Sequence, residues 1–360
     1  MKHRMQGEEE KTPRLELFAA ANSGKGFYSF YPRVFEREEI EKRYLIWGGP
    51  GTGKSSFLRR VAEGAEARGA EVEYYRCSSD PDSLDGIILN GKIAILDATA
   101  PHVALPTLPG ARDEIVNLGE FWDSEALEKR KNDIVSYSSL KSGCYGKAYR
   151  FLSAAMDVSE ESRSLVEPWI LWEKMERAVR RLLRGVPSEE RFRALPALTD
   201  SLGIRGAVRL GGYAALGGER YVLEDSFCVG SAFLSLLLRE AERKRLAVRV
   251  SYDPLCPTLP NGVFLEGSGL SFSLADTEGG EEPKRINMKR FLDPEGVRQI
   301  RGEYKRNLRL REGLVQAATD ALADAGRYHF LLEKIYVSCM NFEAERIFLS
   351  DFCQRIWERL

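Results

Sequence analysis

The stretch Tyr44-Leu-Ile-Trp-Gly-Gly-Pro-Gly-Thr-Gly-Lys-Ser-Ser56 decides the fold class of this chain. Its first four residues are apolar and prone to form a strand, and the next eight match the phosphate-loop pattern Gly48-x-x-x-x-Gly53-Lys54-Ser55. Before Gly69, apolar residues recur at helical spacing: Phe57, Leu58, Val61, Ala62 and Ala65. A strand, a glycine-rich loop and a helix in this order predict an α/β fold with a mainly parallel sheet.

The loop has the residues that a phosphate site needs. Glycines let successive backbone N–H groups, together with the positive end of the following helix, point at phosphate oxygens. Lys54 would reach the β- and γ-phosphates, and the Ser55 hydroxyl would bind Mg²⁺. GTP is disfavoured because no Asn-Lys-x-Asp segment follows. We therefore expect ATP and Mg²⁺ as ligands of Gly48, Gly49, Pro50, Gly51, Thr52, Gly53, Lys54, Ser55 and Ser56.

A second carboxylate for the metal is predicted at Asp97, which ends the apolar run Lys92-Ile-Ala-Ile-Leu-Asp97. This is the Walker B pattern, and it places Asp97 at the carboxyl end of a strand. No glutamate follows Asp97, so the residue that commonly polarises the attacking water is missing. Thr99 and His102 are candidates for contacts near the γ-phosphate, although a histidine after a strand also serves as a structural hydrogen-bonding group.

Between these two motifs, the acidic segment Cys77-Ser-Ser-Asp-Pro-Asp-Ser-Leu-Asp-Gly86 follows a predicted strand. Its carboxylates, Asp80, Asp82 and Asp85, would lie at the carboxyl edge of the sheet, where an acceptor molecule would approach the phosphate. Asp80 or Asp82 would then clamp a substrate or act as a base. The same residue types form turns and helix caps, and the sequence leaves both interpretations open.

Length and composition limit the remaining possibilities. The chain has 360 residues, more than one hydrophobic core usually supports, so two domains are expected. The absence of a long apolar run and of a signal core predicts a cytoplasmic protein without a membrane partner. A net charge of −1 disfavours nucleic acid as a partner. The six cysteines form no C-x-x-C pair and only three histidines exist, so the spacing supports neither a zinc site nor a disulfide framework.

The chain contains a second copy of the same pattern, and ordered matches of this kind indicate duplication. The matched pairs are Arg43-Tyr-Leu-Ile with Arg220-Tyr-Val-Leu, Gly53 with Gly230, Asp80-Pro81 with Asp253-Pro254, and Asn117-x-x-x-Phe-x-Asp123 with Asn287-x-x-x-Phe-x-Asp293. In the second copy, Ser231 replaces Lys54 and Ala232 replaces Ser55. Without the ammonium and the metal-binding hydroxyl, this copy is expected to be degenerate and to bind triphosphate weakly or not at all.

The sequence therefore predicts two tandem P-loop NTPase-like domains, each a three-layer αβα structure with a mainly parallel sheet. We place a flexible tail at residues 1–13, the ATP-binding domain at 14–200 and the degenerate repeat at 201–360. The roles open to the second copy are packing, partner binding and completion of the first site.

With these motifs together, the chain resembles the uncharacterised bacterial tandem P-loop ATPases, whose members carry GGPGTGKS, CSSDPDSLDG and a strand ending in LD-x-TAPH. The three motifs stand here at residues 48–55, 77–86 and 96–102. The resemblance implies ATP binding and an ATPase activity, without a more specific role. Members keep a second phosphate loop, so Ser231 and Ala232 depart from the family pattern.

Three functions stay open on the sequence. The leading one is a Mg²⁺-dependent ATPase that acts as a nucleotide-dependent switch, with an unidentified protein partner. The second is a small-molecule or nucleotide kinase whose acceptor binds at residues 80–85, which the missing glutamate favours. The third is a module that binds ATP structurally. An arginine finger would come from the second copy or from another subunit of a homo-oligomer, and the candidates are Arg112, Arg150, Arg205 and Arg209.

Overall fold

The structure is a computed structural model that describes residues 14–275 and 282–360, so the predicted tail at 1–13 lies outside the described residues. The strands are β1 (Leu15–Phe18), β2 (Ala20–Ser23), β3 (Gly26–Ser29), β4 (Lys42–Trp47), β5 (Val72–Arg76), β6 (Leu84–Leu89), β7 (Ile93–Asp97), β8 (Asp113–Asn117), β9 (Arg193–Ala197), β10 (Asp200–Gly203), β11 (Gly206–Arg209), β12 (Arg220–Glu224), β13 (Ala247–Tyr252), β14 (Pro260–Leu265), β15 (Leu270–Ser273) and β16 (Lys284–Asn287). The helices are α1 (Tyr31–Phe35), α2 (Lys54–Glu66), α3 (Ser124–Lys129), α4 (Lys131–Val166), α5 (Trp172–Leu182), α6 (Gly230–Arg243), α7 (Pro294–Val337) and α8 (Phe342–Trp357). Within these described ranges, no helix combines the length and the apolar character that crossing a bilayer requires.

Two six-stranded sheets organise the protein. The first has the order β1-β5-β6-β7-β4-β8, and the second, read from its other edge, has the order β9-β13-β14-β15-β12-β16. Strands β6 and β14 run antiparallel to both neighbours, and the other pairs in both sheets are parallel. The fold is therefore α/β with two mostly parallel sheets, and the two halves of the chain repeat one strand order.

The strand register corrects one match made on the sequence. Gly86 pairs with Tyr75 beside a β-bulge, and Gly262 pairs with Ser251 beside an equivalent bulge. Counted from these pairs, Asp253 occupies the position of Cys77 and not that of Asp80. The Asp-Pro match arose because each aspartate stabilises a turn. Asp253 accepts hydrogen bonds from the backbone N–H groups two and three residues ahead, and Asp80 accepts one from the Ser83 hydroxyl.

The second repeated motif consists of helix caps. Asn117 and Asn287 each accept a hydrogen bond from a backbone N–H two residues ahead, at the start of a 3₁₀ turn. Asp123 caps α3, which leads into α4, and Asp293 caps α7 with Pro294 at the first helical position. The repeated spacing therefore marks the place where each half leaves its sheet and enters a long helix.

These long helices exchange elements between the two halves. Helices α4 and α7 pack against each other, and the helix that follows each one lies on the opposite sheet. Two reciprocal backbone contacts fix the crossing points: Leu171 N donates to Phe291 O at 2.8 Å, and Asp123 N donates to Cys339 O at 2.8 Å. Helix α5 thus belongs to the core of the second sheet, and α8 to that of the first.

Three main cores follow from this arrangement. One lies between the first sheet and helices α2 and α8, and a second lies between the second sheet and helices α5 and α6. The third covers the other face of the first sheet with α1 and with side chains from the second half, including Leu198, Tyr213 and Phe264. Strand β9, before the predicted boundary at residue 200, pairs within the second sheet, so packing crosses that boundary in both directions.

Candidate functional site

The predicted phosphate loop connects β4 to α2 at the carboxyl edge of the first sheet. Gly51 and Gly53 have φ angles of 72° and 83°, a conformation that glycine adopts without steric cost. A Cβ atom on Gly51 would lie 2.7 Å from the backbone oxygen of Glu333 on α7, so close packing also requires glycine there. Because α2 begins at Lys54, the free N–H groups of its first turn lie next to the loop.

The ammonium group of Lys54 is held by the loop itself. Its Nζ atom donates to the backbone oxygens of Gly48 and Gly49 at 2.7 and 2.8 Å, and it lies 3.6 Å from Oδ2 of Asp97. These acceptors keep the cation at the mouth of the loop. A phosphate group bound there would compete with the two carbonyl groups for the same donor.

Asp97 and the loop meet because their strands are neighbours. Strands β4 and β7 are parallel, with Ile46 opposite Asp97, so both chains leave the sheet at the same edge. Thr99 joins them: its hydroxyl donates to Gly48 O at 2.9 Å, and its N–H donates to Asp97 Oδ1 at 2.8 Å. The Ser55 hydroxyl accepts a hydrogen bond from Leu84 N at 2.9 Å and keeps a second lone pair. Ser55 and Asp97 therefore fit Mg²⁺, which prefers hard oxygen ligands.

A cavity of about 880 Å³ opens over this edge of the sheet, which is within the usual size range of small-molecule sites. The first half supplies most of its lining: residues 50–56 of the phosphate loop and α2, residues 79–80 and 82–85 of the acidic segment, and Asp97, Thr99 and His102. The second half closes one side through the β10–β11 hairpin and α7, with Ile204, His329, Glu333, Val337 and, beyond α7, Phe342.

The three carboxylates of the acidic segment have different surroundings. Asp80 accepts a hydrogen bond from the Ser83 hydroxyl at 2.9 Å, which stabilises the turn. Asp82 is exposed and forms an ion pair with Arg205 of the β10–β11 hairpin. Asp85 is buried, with Oδ2 3.2 Å from Nε2 of His102. Of the two open interpretations, the contacts of Asp80 match the turn, whereas Asp85 faces the cavity.

His102 lies in an aromatic setting at the inner end of the cavity. Its ring stacks on Tyr31 with centroids 4.8 Å apart and meets the edge of Phe27 at 5.1 Å. Burial raises the pKa of the neighbouring Asp85 carboxyl group. Burial also raises the pKa of the Cys77 thiol, which lines the same cavity.

Several cavity residues carry no sequence motif. Lys141 and two tyrosines, Tyr145 and Tyr149, come from α4, and His329 and Glu333 come from α7. Burial, followed by the nearby charge of Lys54, lowers the pKa of Lys141. The hydrogen bond from His329 lowers the pKa of Glu333. No local signal could have identified them, because they are ordinary polar positions on long helices that reach the site only through the packing of α4 on α7.

The arginines considered as fingers lie in different places. Arg205 contacts the acidic segment through Asp82, whereas Arg112 is bound to the buried Asp113 and Arg209 to Asp200. Arg150 is not among the described residues that line the cavity. Of the four, Arg205 is therefore the one whose contacts are with a cavity-lining loop.

The corresponding loop of the second half is closed by its own side chain. The carboxylate of Asp225 accepts hydrogen bonds from the N–H groups of Phe227, Val229 and Gly230 at 3.0, 3.1 and 2.8 Å. These are the backbone donors that would face an anion at the start of α6. A Cβ atom on Gly230 would also lie 2.2 Å from the side chain of Leu274. An internal carboxylate thus occupies the anion position of this loop.

Comparison with known proteins adds no relative. No family model, no curated protein and no solved structure matches this chain. The resemblance to tandem P-loop ATPases therefore stays a prediction.

Proposed function

We propose that this protein binds ATP with Mg²⁺ at the loop of residues 48–55 and acts as a nucleotide-dependent switch with slow hydrolysis. The observation that carries the proposal is the distance of 3.6 Å between Lys54, at the start of α2, and Asp97, at the end of β7, beneath a cavity of about 880 Å³. An ammonium, a carboxylate and a glycine-rich loop at a helix N-terminus are the parts that recognise a nucleoside triphosphate.

Each residue has a distinct role in this proposal. Lys54 exchanges its carbonyl partners for phosphate oxygens, and the first turn of α2 donates its free N–H groups. Ser55 and Asp97 would hold Mg²⁺, which supplies neutralisation of phosphate charge when bound. Thr99 keeps Asp97 in register with the loop. Because no glutamate follows Asp97, water activation by the chain is weak and hydrolysis is slow.

Contacts between the loop and the second half support a switch. The Tyr336 ring lies so close to Gly49 that a Cβ atom there would be 3.0 Å from it. The backbone of Glu333 packs equally closely on Gly51. A ligand that moves the loop therefore also moves its contacts with α7. Arg205 and Asp82 form a second link across the cavity. These links would transmit nucleotide binding from the first half to the second.

A kinase is the second candidate, and the buried Asp85 favours it. This carboxylate faces the cavity that the phosphate loop also lines, where it could accept a proton from an acceptor hydroxyl. The absence of a water-polarising glutamate is expected for an enzyme that transfers phosphate to another molecule.

Calorimetry with Mg²⁺ and a non-hydrolysable ATP analogue tests nucleotide binding. The wild type should bind one nucleotide per chain, and Lys54→Ala should weaken binding about 100-fold, since lost charge-assisted hydrogen bonds cost about 3 kcal/mol. Ser231→Ala, the matched change in the second half, should leave affinity unchanged. Equal affinity of Lys54→Ala and wild type, with both folded by circular dichroism, would refute the proposal.

Turnover separates the two candidate functions. Phosphate release from ATP without any acceptor supports the switch ATPase. Turnover that appears only after a metabolite is added, with phosphate recovered on that metabolite, supports the kinase.

A further inference from the structure

Three chemically different side chains converge at the inner end of the cavity. Cys77 follows β5, Asp85 is the second residue of β6, and His102 follows β7. One ligand atom from each, a sulfur, an oxygen and a nitrogen, lies within 4.8 Å of the other two. The antiparallel direction of β6 explains the convergence, because its start meets the edge at which β5 and β7 end.

Two of these side chains, Asp85 and His102, are buried, and Cys77 is half-buried. Asp85 is 5% exposed and His102 is 8% exposed. The second ring nitrogen of His102, Nδ1, is buried and has no hydrogen-bond partner among residues 14–275 and 282–360. Burying polar groups costs free energy unless they find partners. A cation bound through Nε2 of His102 would offset the cost of burying the Asp85 carboxylate, although it would leave Nδ1 without a partner among the described residues.

We propose that Cys77, Asp85 and His102 form a mononuclear transition-metal site, with Zn²⁺ as the expected ion. Thiolate, imidazole and carboxylate are the protein ligands of zinc, at about 2.0 to 2.3 Å from the metal, so neighbouring ligand atoms lie about 3.2 to 3.8 Å apart. Asp85 Oδ2 and His102 Nε2 are already 3.2 Å apart. The Cys77 sulfur lies within 4.8 Å of both atoms, so metal binding would require it to move closer by up to about 1 Å.

The site is distinct from the Mg²⁺ position proposed at Ser55 and Asp97. Mg²⁺ prefers oxygen ligands, whereas a sulfur and a nitrogen select zinc, cobalt and related metals. All three ligands line the cavity, so a fourth coordination position faces its interior. Water or an oxygen atom of a small molecule would occupy that position, as in zinc sites that act on substrates. This inference goes beyond nucleotide binding and does not depend on it, but a metal-bound Asp85 would not be free to act as the base of the kinase alternative.

Cobalt is the probe, because Co²⁺ replaces zinc in such sites and is coloured. Full-length protein, stripped with a chelator and kept reduced, is titrated with Co²⁺ without nucleotide. We expect one Co²⁺ per chain, the intense visible absorption of a four-coordinate ion, and a thiolate-to-cobalt charge-transfer band in the near ultraviolet. Added Zn²⁺ should abolish both signals.

Variants assign the ligands. Cys77→Ser should remove the charge-transfer band, and Asp85→Asn and His102→Ala should each weaken Co²⁺ binding at least about tenfold, the lower limit for loss of a second-shell partner. Cys144→Ser, a thiol on α4 outside the cluster, should bind Co²⁺ like the wild type. Lys54→Ala should also bind Co²⁺ normally, so failure of the nucleotide site and failure of the metal site are distinguishable.

Two results would overturn the metal site. One is the absence of a charge-transfer band in folded wild-type protein at saturating Co²⁺. The other is a band that persists in Cys77→Ser, since the sulfur would then come from another cysteine. Thermal unfolding of the Cys77→Ser variant, measured without metal, shows whether the serine side chain is tolerated.

Discussion

Because α5 and α8 each pack on the sheet of the opposite half, mutations in them should have effects that differ from those expected for two simple tandem domains. Leu349 lies in α8, near the carboxyl end of the chain, yet it is 4% exposed in the core formed by α2 and the first sheet. Met175 in α5 is 0% exposed in the core of the second sheet. Each residue should therefore stabilise the sheet of the opposite half of the sequence.

The expected magnitude follows from truncation of buried side chains. Leu349→Ala and Met175→Ala each remove a large apolar group from a packed core, which costs about 2 to 5 kcal/mol. If amide exchange in a sheet occurs through opening of that sheet, a loss of about 2 kcal/mol accelerates exchange about 30-fold. The two variants are matched because each truncates a buried apolar side chain in the helix that follows α4 or α7, with similar expected costs.

Hydrogen exchange read by mass spectrometry locates the loss. Leu349→Ala should accelerate exchange in β4 and β7 and leave β12 and β14 protected, and Met175→Ala should do the reverse. If Leu349→Ala loosened β12 and β14 instead, while β4 and β7 kept their protection, α8 would lie on the second sheet in solution. The exchanged arrangement would then be refuted.

Two further predictions concern stability away from the cavity. Although burial opposes it, hydrogen bonds from Arg43 and Arg112 hold the pKa of Asp113 well below its usual range. The stabilisation is therefore fully present above the unfolded-state pKa of about 3.9 and is lost as the pH falls towards the folded-state value. Asp113→Asn should lower the free energy of unfolding in urea at pH 7 by about 3 to 5 kcal/mol. Below about pH 5, the stability of this variant should fall less steeply than that of the wild type. Parallel profiles of stability against pH would contradict this. Asp225→Ala removes the acceptor for three backbone N–H groups at the start of α6, so urea unfolding should show a loss of about 0.5 to 2 kcal/mol, and nucleotide stoichiometry should stay at one because Ser231 supplies no ammonium. Unchanged stability, or a second bound nucleotide, would contradict that role of Asp225.

Local patterns account for much of the fold. The apolar run before Gly48 forms β4, and α2 starts at Lys54, because strand propensity, a glycine-rich turn and helical spacing act over a few residues. The run that ends at Asp97 forms β7 for the same reason. The repeated motifs also have local causes, since Asn117 and Asp123 are caps whose partners lie within three residues.

Contacts between distant parts of the chain account for what the patterns missed. Lys141 and Glu333 reach the cavity only because two long helices pack against each other. No fixed spacing in the sequence shows which helices will pack together. The same reason hides the exchange of α5 and α8. A helix shows its apolar face in its sequence, but any complementary apolar surface can bury that face.

By itself, the sequence determined β4, α2 and β7, the α/β class, the position of the glycine-rich loop between β4 and α2, and the replacement of Lys54 and Ser55 by Ser231 and Ala232 in the second copy. Only the tertiary structure decided three features. These are the packing of α5 and α8 on the sheet of the opposite half, the hydrogen bonds from the second loop to Asp225, and the proximity of Cys77, Asp85 and His102. Sequence patterns for metal sites, such as C-x-x-C, detect only ligands that lie close together in the sequence. Here the pairing of antiparallel β6 with β5 and β7 brings one ligand from each of three segments to the same edge of the sheet. The direction of a strand relative to its neighbours is decided only when the sheet folds.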